Sequence, residues 1–249
     1  TKNILIYNFK HLFFRIIFRF QIERAVKIIT PTYTVKKQLK DIYGEKISKK
    51  IHPVYEGVNY QILESKENKE LGRKFANFFI YVGNFYPHKN IEKLIKSFAK
   101  VNTSIKLILL GPNDFFKNRL TQLINRLNQE KKILFFNNIS NEDLVFFYKN
   151  SLALIHPSLS EGFGLPLIEA AYFNCPIIAS DIKVFKELLG NNYLSFNPND
   201  IDDIAEKIKT FINKKPNKFD YKNIIKKYSF ERMTDETMKI YQEVLTSNI

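Results

Sequence analysis

The chain has 249 residues, 45% of them apolar and 26% charged, and 39 basic against 25 acidic side chains give a formal net charge of +14. The apolar share is that of an ordinary soluble globular protein, the length admits one large domain or two small ones, and no uncharged apolar run of ~20 residues is present to cross a membrane. A single cysteine, Cys175, rules out an internal disulfide and fits a reducing compartment, so a cytoplasmic setting is expected.

The positive charge suits a phosphorylated ligand, an anionic lipid face or nucleic acid. The lysines are scattered through every segment without an aromatic–basic recognition signature, so nucleic acid is not expected as a partner. The chain starts at Thr1 with no initiator methionine and no signal-peptide pattern, as a fragment or processed product would. Residues 4–7 are expected as a short strand. From Phe9 to Arg24, His11, Arg15, Arg19 and Glu23 recur every four residues on one helical stripe and leave a broad Phe/Ile face. That face reads either as a core surface packed on neighbouring structure or as an interfacial one, lying on an anionic membrane with its arginines at the headgroups. Residues 27–31 follow as a buried strand. A helix capped by Thr32 or Thr34 then runs through Tyr43 to Gly44, and a further strand from Lys50 closes in a glycine turn.

Residues 61–73 are polar and charged and read as a connector. Beyond them short apolar runs alternate with helical periodicity. Strands are expected at 78–82, 105–110, 133–136, 152–155, 177–179 and 193–196, with helices at 91–101, 115–129, 141–148, 167–173 and 184–189. This alternation implies parallel βα units and an α/β fold with a doubly wound sheet, whose ligands bind beyond the carboxyl ends of the strands. Three helices, at 201–212, 221–228 and 230–245, complete the chain.

The most informative stretch follows the strand at 152–155. It reads Ser158-Leu-Ser-Glu161-Gly-Phe-Gly-Leu-Pro-Leu-Ile-Glu169. Gly162 and Gly164 let backbone amides approach a ligand, and Pro166 suits the first turn of a helix. A strand, a glycine turn and a helix amino end together form an anion site. Eight residues of helix rise about 12 Å. Paired glycosidase carboxylates stand roughly 5–9.5 Å apart across one bond. Glu161 and Glu169 therefore suit the two ends of an elongated ligand, such as a nucleotide sugar.

The order of these residues resembles the donor site of retaining glycosyltransferases of the GT-B architecture, family 4, the group 1 transferases. Their signature is a glutamate, seven residues and a second glutamate, with Gly-Phe-Gly-Leu-Pro between. The resemblance implies a Rossmann-like donor domain in which Glu161 is the catalytic carboxylate, holding sugar hydroxyls and stabilising the charge at the anomeric carbon. It further implies that Glu169 meets the ribose and that Gly162, Phe163, Gly164 and Leu165 surround the diphosphate. The loop Gly83-Asn-Phe-Tyr-Pro-His88-Lys89-Asn90 is similar to the family's phosphate loop. There Gly83 and Lys89 match, and Asn84 stands where an arginine is usual. Gly111-Pro112 resembles the family's Gly-x-Gly turn, and Asn137-Asn-Ile139-Ser140 resembles the turn whose backbone meets the base, implying contacts at Gly111 and Ile139. His88 and His156 are expected as turn and floor residues respectively, and Ser140 as a helix cap with Asp143.

The implied organisation is a remnant of an acceptor-side domain at 1–55, a linker at 56–73, a nucleotide-sugar-binding domain at 74–228 and a returning helix at 229–249. The implied activity is transfer of a hexose, in mannosyl-type relatives mannose, from a GDP- or UDP-sugar to a glycan or lipid-linked acceptor in cell-surface polysaccharide synthesis. No cofactor and no metal are expected. Asp200-Ile-Asp202 has the form of a metal-binding Asp-x-Asp, but acids opening a helix explain it. The rival readings are a non-catalytic nucleotide-sugar-binding module and a basic binder of nucleic acid or membrane.

Overall fold

The structure, a computed structural model, describes residues 4–214 and 219–246. It divides into two compact units, one made of the residues up to Tyr55 and from Met233 onward, the other of Glu56–Arg232.

The first unit opens with α1 (Ile4–Arg24), followed by β1 (Ile28–Thr30), α2 (Tyr33–Tyr43), α3 (Glu45–Ser48) and β2 (Ile51–Pro53). β1 and β2 pair in parallel from Ile28–Ile51 to Thr30–Pro53. Thr32 caps α2, its hydroxyl accepting from the Val35 amide at 3.1 Å. Ile22, Ile47 and Ile51 form a small core with Phe18, Leu39 and Tyr43 against it. The strand expected at residues 4–7 is instead the first turn of α1. Four apolar residues do not distinguish a strand from a helix, and here the helix that carries Phe18 and Ile22 to the core starts at Ile4. Away from that core, α1 exposes Phe9, Leu12, Phe13, Ile16, Ile17 and Phe20.

The second unit begins with α4 (Tyr60–Glu64) and a 3-10 turn at Lys69–Arg73. Residues 56–73, expected as a linker, are packed here: Ile62 and Leu71 are buried, and Asn68 Nδ2 donates to Asp143 at 2.8 Å. Then follow β3 (Phe78–Val82), a 3-10 turn at Pro87–Lys89, α5 (Ile91–Ala99), β4 (Lys106–Leu110), α6 (Phe115–Arg126), β5 (Ile133–Phe136), α7 (Asn141–Asn150) and β6 (Leu154–His156). They are succeeded by α8 (Leu165–Tyr172), β7 (Ile177–Ser180), α9 (Lys183–Leu189), β8 (Leu194–Phe196), α10 (Ile201–Asn213) and α11 (Lys222–Lys227). α12 (Phe230–Thr246) begins in this unit and lies from Met233 in the first.

Six strands form one parallel sheet in the order β5-β4-β3-β6-β7-β8. Helices cover both faces, so the strands are mostly continuous apolar runs rather than alternating. Phe79 and Tyr81 of β3 join Leu94, Ile95 and Phe98 of α5 and Ile204 and Ile208 of α10 in one core. Phe78 points the other way, to Phe146 and Phe147 of α7. Each such side chain contributes about 1.5–3 kcal/mol by leaving water.

Strand order reverses between β3 and β6. β3 matches β4 over five residue pairs, from Phe78–Lys106 to Val82–Leu110, but registers with β6 only at Ile80–Leu154. The carboxyl ends of these two central strands are thus free of mutual pairing, at the topological switch point where doubly wound sheets bind ligands.

Candidate functional site

Two loops frame the switch point. The loop after β3 starts at Gly83 and reaches the 3-10 turn at Pro87–Lys89; the loop after β6 runs from Pro157 to Gly164. Asn90 joins them. Its backbone is left-handed (φ 61°), its side chain is buried, and its Nδ2 donates to the carbonyls of Pro157 (3.1 Å) and Pro198 (2.8 Å). The Leu159 amide donates to the His88 carbonyl at 2.8 Å. His88 itself is exposed in the turn.

Gly164, at φ +123°, turns the second loop into α8, with Leu165 and Pro166 as the first helical residues. A side chain there would be strained by the backbone and would press on Phe185 at 3.1 Å. Pro166 brings no N–H and the Leu167 amide donates to the Gly164 carbonyl at 2.9 Å, which leaves the Leu165 amide and the helix dipole to favour an anion at the start of α8.

Glu161 sits between the loops. Its Oε1 accepts from Lys89 Nζ at 2.6 Å, from Ser158 Oγ at 2.7 Å and from His156 Nε2 at 3.1 Å. Oε2 receives no hydrogen bond from the described residues. The Lys89 and Glu161 side chains are 15% and 10% exposed, so this is a largely desolvated pair. Burial by itself would raise the Glu161 carboxyl; the hydrogen bond from His156, the charge that His156 takes up in acid, and the bonds from Lys89 and Ser158 more than reverse this and bring it down to about 2. Glu161 is therefore an anion at neutral pH. His156 is fully buried, and burial lowers its pKa and keeps the imidazole neutral. Its ring stacks on Tyr81 (5.6 Å between centroids) and meets Phe185 edge-on (5.6 Å).

Glu169, on α8, is in a different setting. Its Oε2 accepts from the hydroxyl of Tyr148 at 2.7 Å, and burial raises its pKa. Tyr148 is itself fully buried and stacks on Phe173.

The remaining expected residues divide by what their side chains do. Gly83 and Gly111 are packed backbone to backbone: the Gly83 amide donates to the Leu110 carbonyl at 3.0 Å, and a Cβ on Gly111 would lie 2.3 Å from the Gly83 oxygen. Asn84 accepts from the Tyr81 hydroxyl through its carbonyl (2.6 Å) and from the Tyr86 amide through its side chain (3.4 Å). Gly162 is exposed on the second loop, whereas Phe163 buries its ring edge-on against Tyr228, so its share in any binding falls to its backbone. Ile139 lies half-buried between Asn138 (φ 55°) and the Ser140–Asp143 capping box. Asp200 caps α10 by accepting from the amides of Asp202 and Asp203.

Sequence reasoning gave no role here to Ser158, Tyr81, Tyr148 or Lys117, and treated His156 as floor. Lys117, on α6, reaches the ends of β4 and β5. Assigning the Asn137 amide so that both of its atoms are satisfied lets its oxygen accept from Lys117 Nζ (2.9 Å) and its nitrogen donate to the Gly111 carbonyl (3.1 Å). The signal for His156 was its place as the last inward residue of a buried strand, five positions before Glu161.

With this geometry in view, a family profile described as "Glycosyl transferases group 1" matches residues 64–231. The O-antigen chain mannosyltransferase RfbU of Salmonella typhimurium is 34% identical over 223 residues, covering 89% of this chain and 61% of RfbU. Among solved structures, sucrose-phosphate synthase of Thermosynechococcus elongatus superposes with a TM-score of 0.81 at 20% identity, over 93% of this chain and 61% of that one. Alr3699/HepE of Anabaena, in complex with UDP-glucose, gives 0.73 at 18% identity, over 89% of this chain and 64% of that one. These structural likenesses show the α/β GT-B fold. The chain spans about three-fifths of the length of RfbU and of these two structures.

Proposed function

The chain belongs to the glycosyl transferases group 1 family, and from that premise we propose that its second unit is the donor-binding half of a retaining hexosyltransferase. It would pass a hexose, mannose by likeness to RfbU, from a GDP- or UDP-sugar to a glycan or lipid-linked acceptor in cell-surface polysaccharide synthesis. The nucleotide-sugar domain would comprise residues 74–228, with 1–55 as part of an acceptor-side domain, 56–73 leading between them and 229–249 returning.

The observation that carries this reading is the Lys89–Glu161 pair at the switch point, beside the amino end of α8. A diphosphate at that helix end meets the dipole and a lysine within reach, so Lys89 would exchange one anion for another. Glu161, released from Lys89 but still bonded to His156 and Ser158, stays ionised. It would hold sugar hydroxyls through Oε2 and stabilise the positive charge that develops at the anomeric carbon as the bond to the diphosphate breaks. The neighbouring amides and Lys89 would receive the charge of the departing phosphate. Glu169, held by Tyr148, has Oε1 left for a ribose hydroxyl.

Calorimetry with GDP and UDP tests the donor site. One of the two should bind with measurable heat, and Lys89→Ala should weaken it by about tenfold to a hundredfold, the worth of one charged hydrogen bond. Absence of heat at millimolar nucleotide would remove the reading.

A second reading concerns α1. Its exposed Phe9, Leu12, Phe13, Ile16, Ile17 and Phe20 are accompanied by the exposed cations Lys10, Arg15, Arg19 and Arg24. This pairing of aromatic and basic side chains supports peripheral contact with an anionic membrane. Among the described residues no helix is long and apolar enough to cross one. Flotation should recover the protein with vesicles rich in phosphatidylserine, and Phe13→Asp or high salt should release it; equal recovery with uncharged vesicles would exclude the electrostatic part.

A further inference from the structure

His156 carries a hydrogen bond that packing alone does not require. It is fully buried at the end of β6, where its backbone carbonyl accepts from Ser180 Oγ, and the only polar contact of its imidazole among the described residues is Nε2 to Glu161 Oε1 at 3.1 Å. Nδ1 is buried without a partner. A carboxylate only accepts hydrogen bonds, so Nε2 holds the proton. A second proton would put an N–H donor at Nδ1 with nothing to receive it, at a cost of about 1–3 kcal/mol. The imidazole is thus fixed as one neutral tautomer. Tyr81 stacks on one side and Phe185 closes another edge-on, so the ring cannot turn away from Glu161. Tyr81 is in turn tied by its hydroxyl to the Asn84 carbonyl in the loop after β3.

The other donors to Oε1 differ in kind. Lys89 has a long flexible stem and is the cation an incoming diphosphate would draw off. Ser158 has a rotatable hydroxyl. We propose that His156 is a positioning residue for Glu161, a rigid neutral donor that pins Oε1 and so leaves Oε2 for the ligand, whether or not Lys89 is engaged elsewhere. This rests on the transferase reading for its meaning, but not for its test. The charged and titratable groups around the pair are Lys89, whose charge disfavours a proton on His156, the Tyr81 hydroxyl, and Glu56, which interacts with Glu161 from the chain after β2.

Two variants separate the hydrogen bond from the packing. His156→Phe keeps an aromatic ring between Tyr81 and Phe185 but has no donor; His156→Gln keeps an N–H at the same reach. The 13C signal of the Glu161 carboxyl is followed from pH 7 to pH 4 in the ligand-free protein. The wild type should show no titration step in this range, His156→Phe should show one, and His156→Gln should be flat again. In sugar transfer, His156→Phe should lower kcat about tenfold to a hundredfold with KM little changed, as misplacement of a reacting group does, and His156→Gln should recover most of it. A flat trace in His156→Phe, or a step that persists in His156→Gln, overturns the proposal. If the wild type binds neither GDP nor UDP, the transferase reading fails while the carboxyl titration still decides the role of His156.

Discussion

Glu161 and Glu169 lie eight positions apart on one turn-and-helix, yet their surroundings push them in opposite directions. Glu161 gathers a lysine, a serine and an imidazole on one oxygen and stays ionised down to a pH of about 2. Among the described residues Glu169 has a single neutral donor, the buried Tyr148, and it holds its proton more tightly than a free carboxyl. On the proposed donor-site reading, the difference suits each to a different end of the ligand. A fixed negative charge suits a centre that becomes positive during reaction; a weakly acidic carboxyl suits a neutral hydroxyl pair.

The contrast can be broken most strongly by removing charge. Glu161→Gln strands Lys89 beside a site with no anion and should cost about 3 kcal/mol in urea denaturation at pH 7, as breaking a buried pair does. Glu169→Gln should be neutral or mildly stabilising, because the fold already favours the uncharged form. A similar loss in both variants would erase the distinction.

Titration separates them next. Glu161 is lowered from 4.5 to about 2 on folding, so it contributes stability above its unfolded pKa and loses it as pH falls through the folded one. About 3 kcal/mol should therefore disappear between roughly pH 5 and pH 2, and Glu161→Gln should lack this part of the acid transition. Glu169 is raised, so its contribution has the opposite sign: it is present below its unfolded pKa and is lost as pH rises through the folded value. Smaller still, Tyr148→Phe should cost about 1 kcal/mol and raise the Glu169 carboxyl further, seen in its 13C titration. The least effect belongs to Glu56, raised by burial and by the charge of Glu161; Glu56→Gln should stabilise by roughly a few tenths of a kcal/mol in the same denaturation assay.

Much of the fold was legible because its devices are local. The βα alternation from Phe78 onward, the Thr32 cap, the Ser140–Asp143 box and the glycine turn into α8 are each written within a few residues. The start of α1 was not, since a four-residue apolar run suits either period. Nor was the packing of residues 56–73, where Ile62 and Leu71 stand isolated among charges. The site followed the same rule. The turn carrying Glu161 and Glu169 could be read, but their partners could not: Lys89 is 72 residues from Glu161 and Tyr148 is 21 from Glu169, and only sheet order brings them together. Phe163 lies inside the motif, yet its ring belongs to the contact with Tyr228, a matter of which way one side chain faces.

The central claim, that these two carboxylates grip opposite ends of one donor, is tested most directly by following their 13C carboxyl signals as ligand is added. With a nucleoside diphosphate alone the Glu169 signal should move, and on replacing it by the sugar-bearing donor the Glu161 signal should move again while that of Glu169 holds. Saturating donor that leaves both signals unmoved, or a Glu161 signal identical with and without the sugar, would contradict the account.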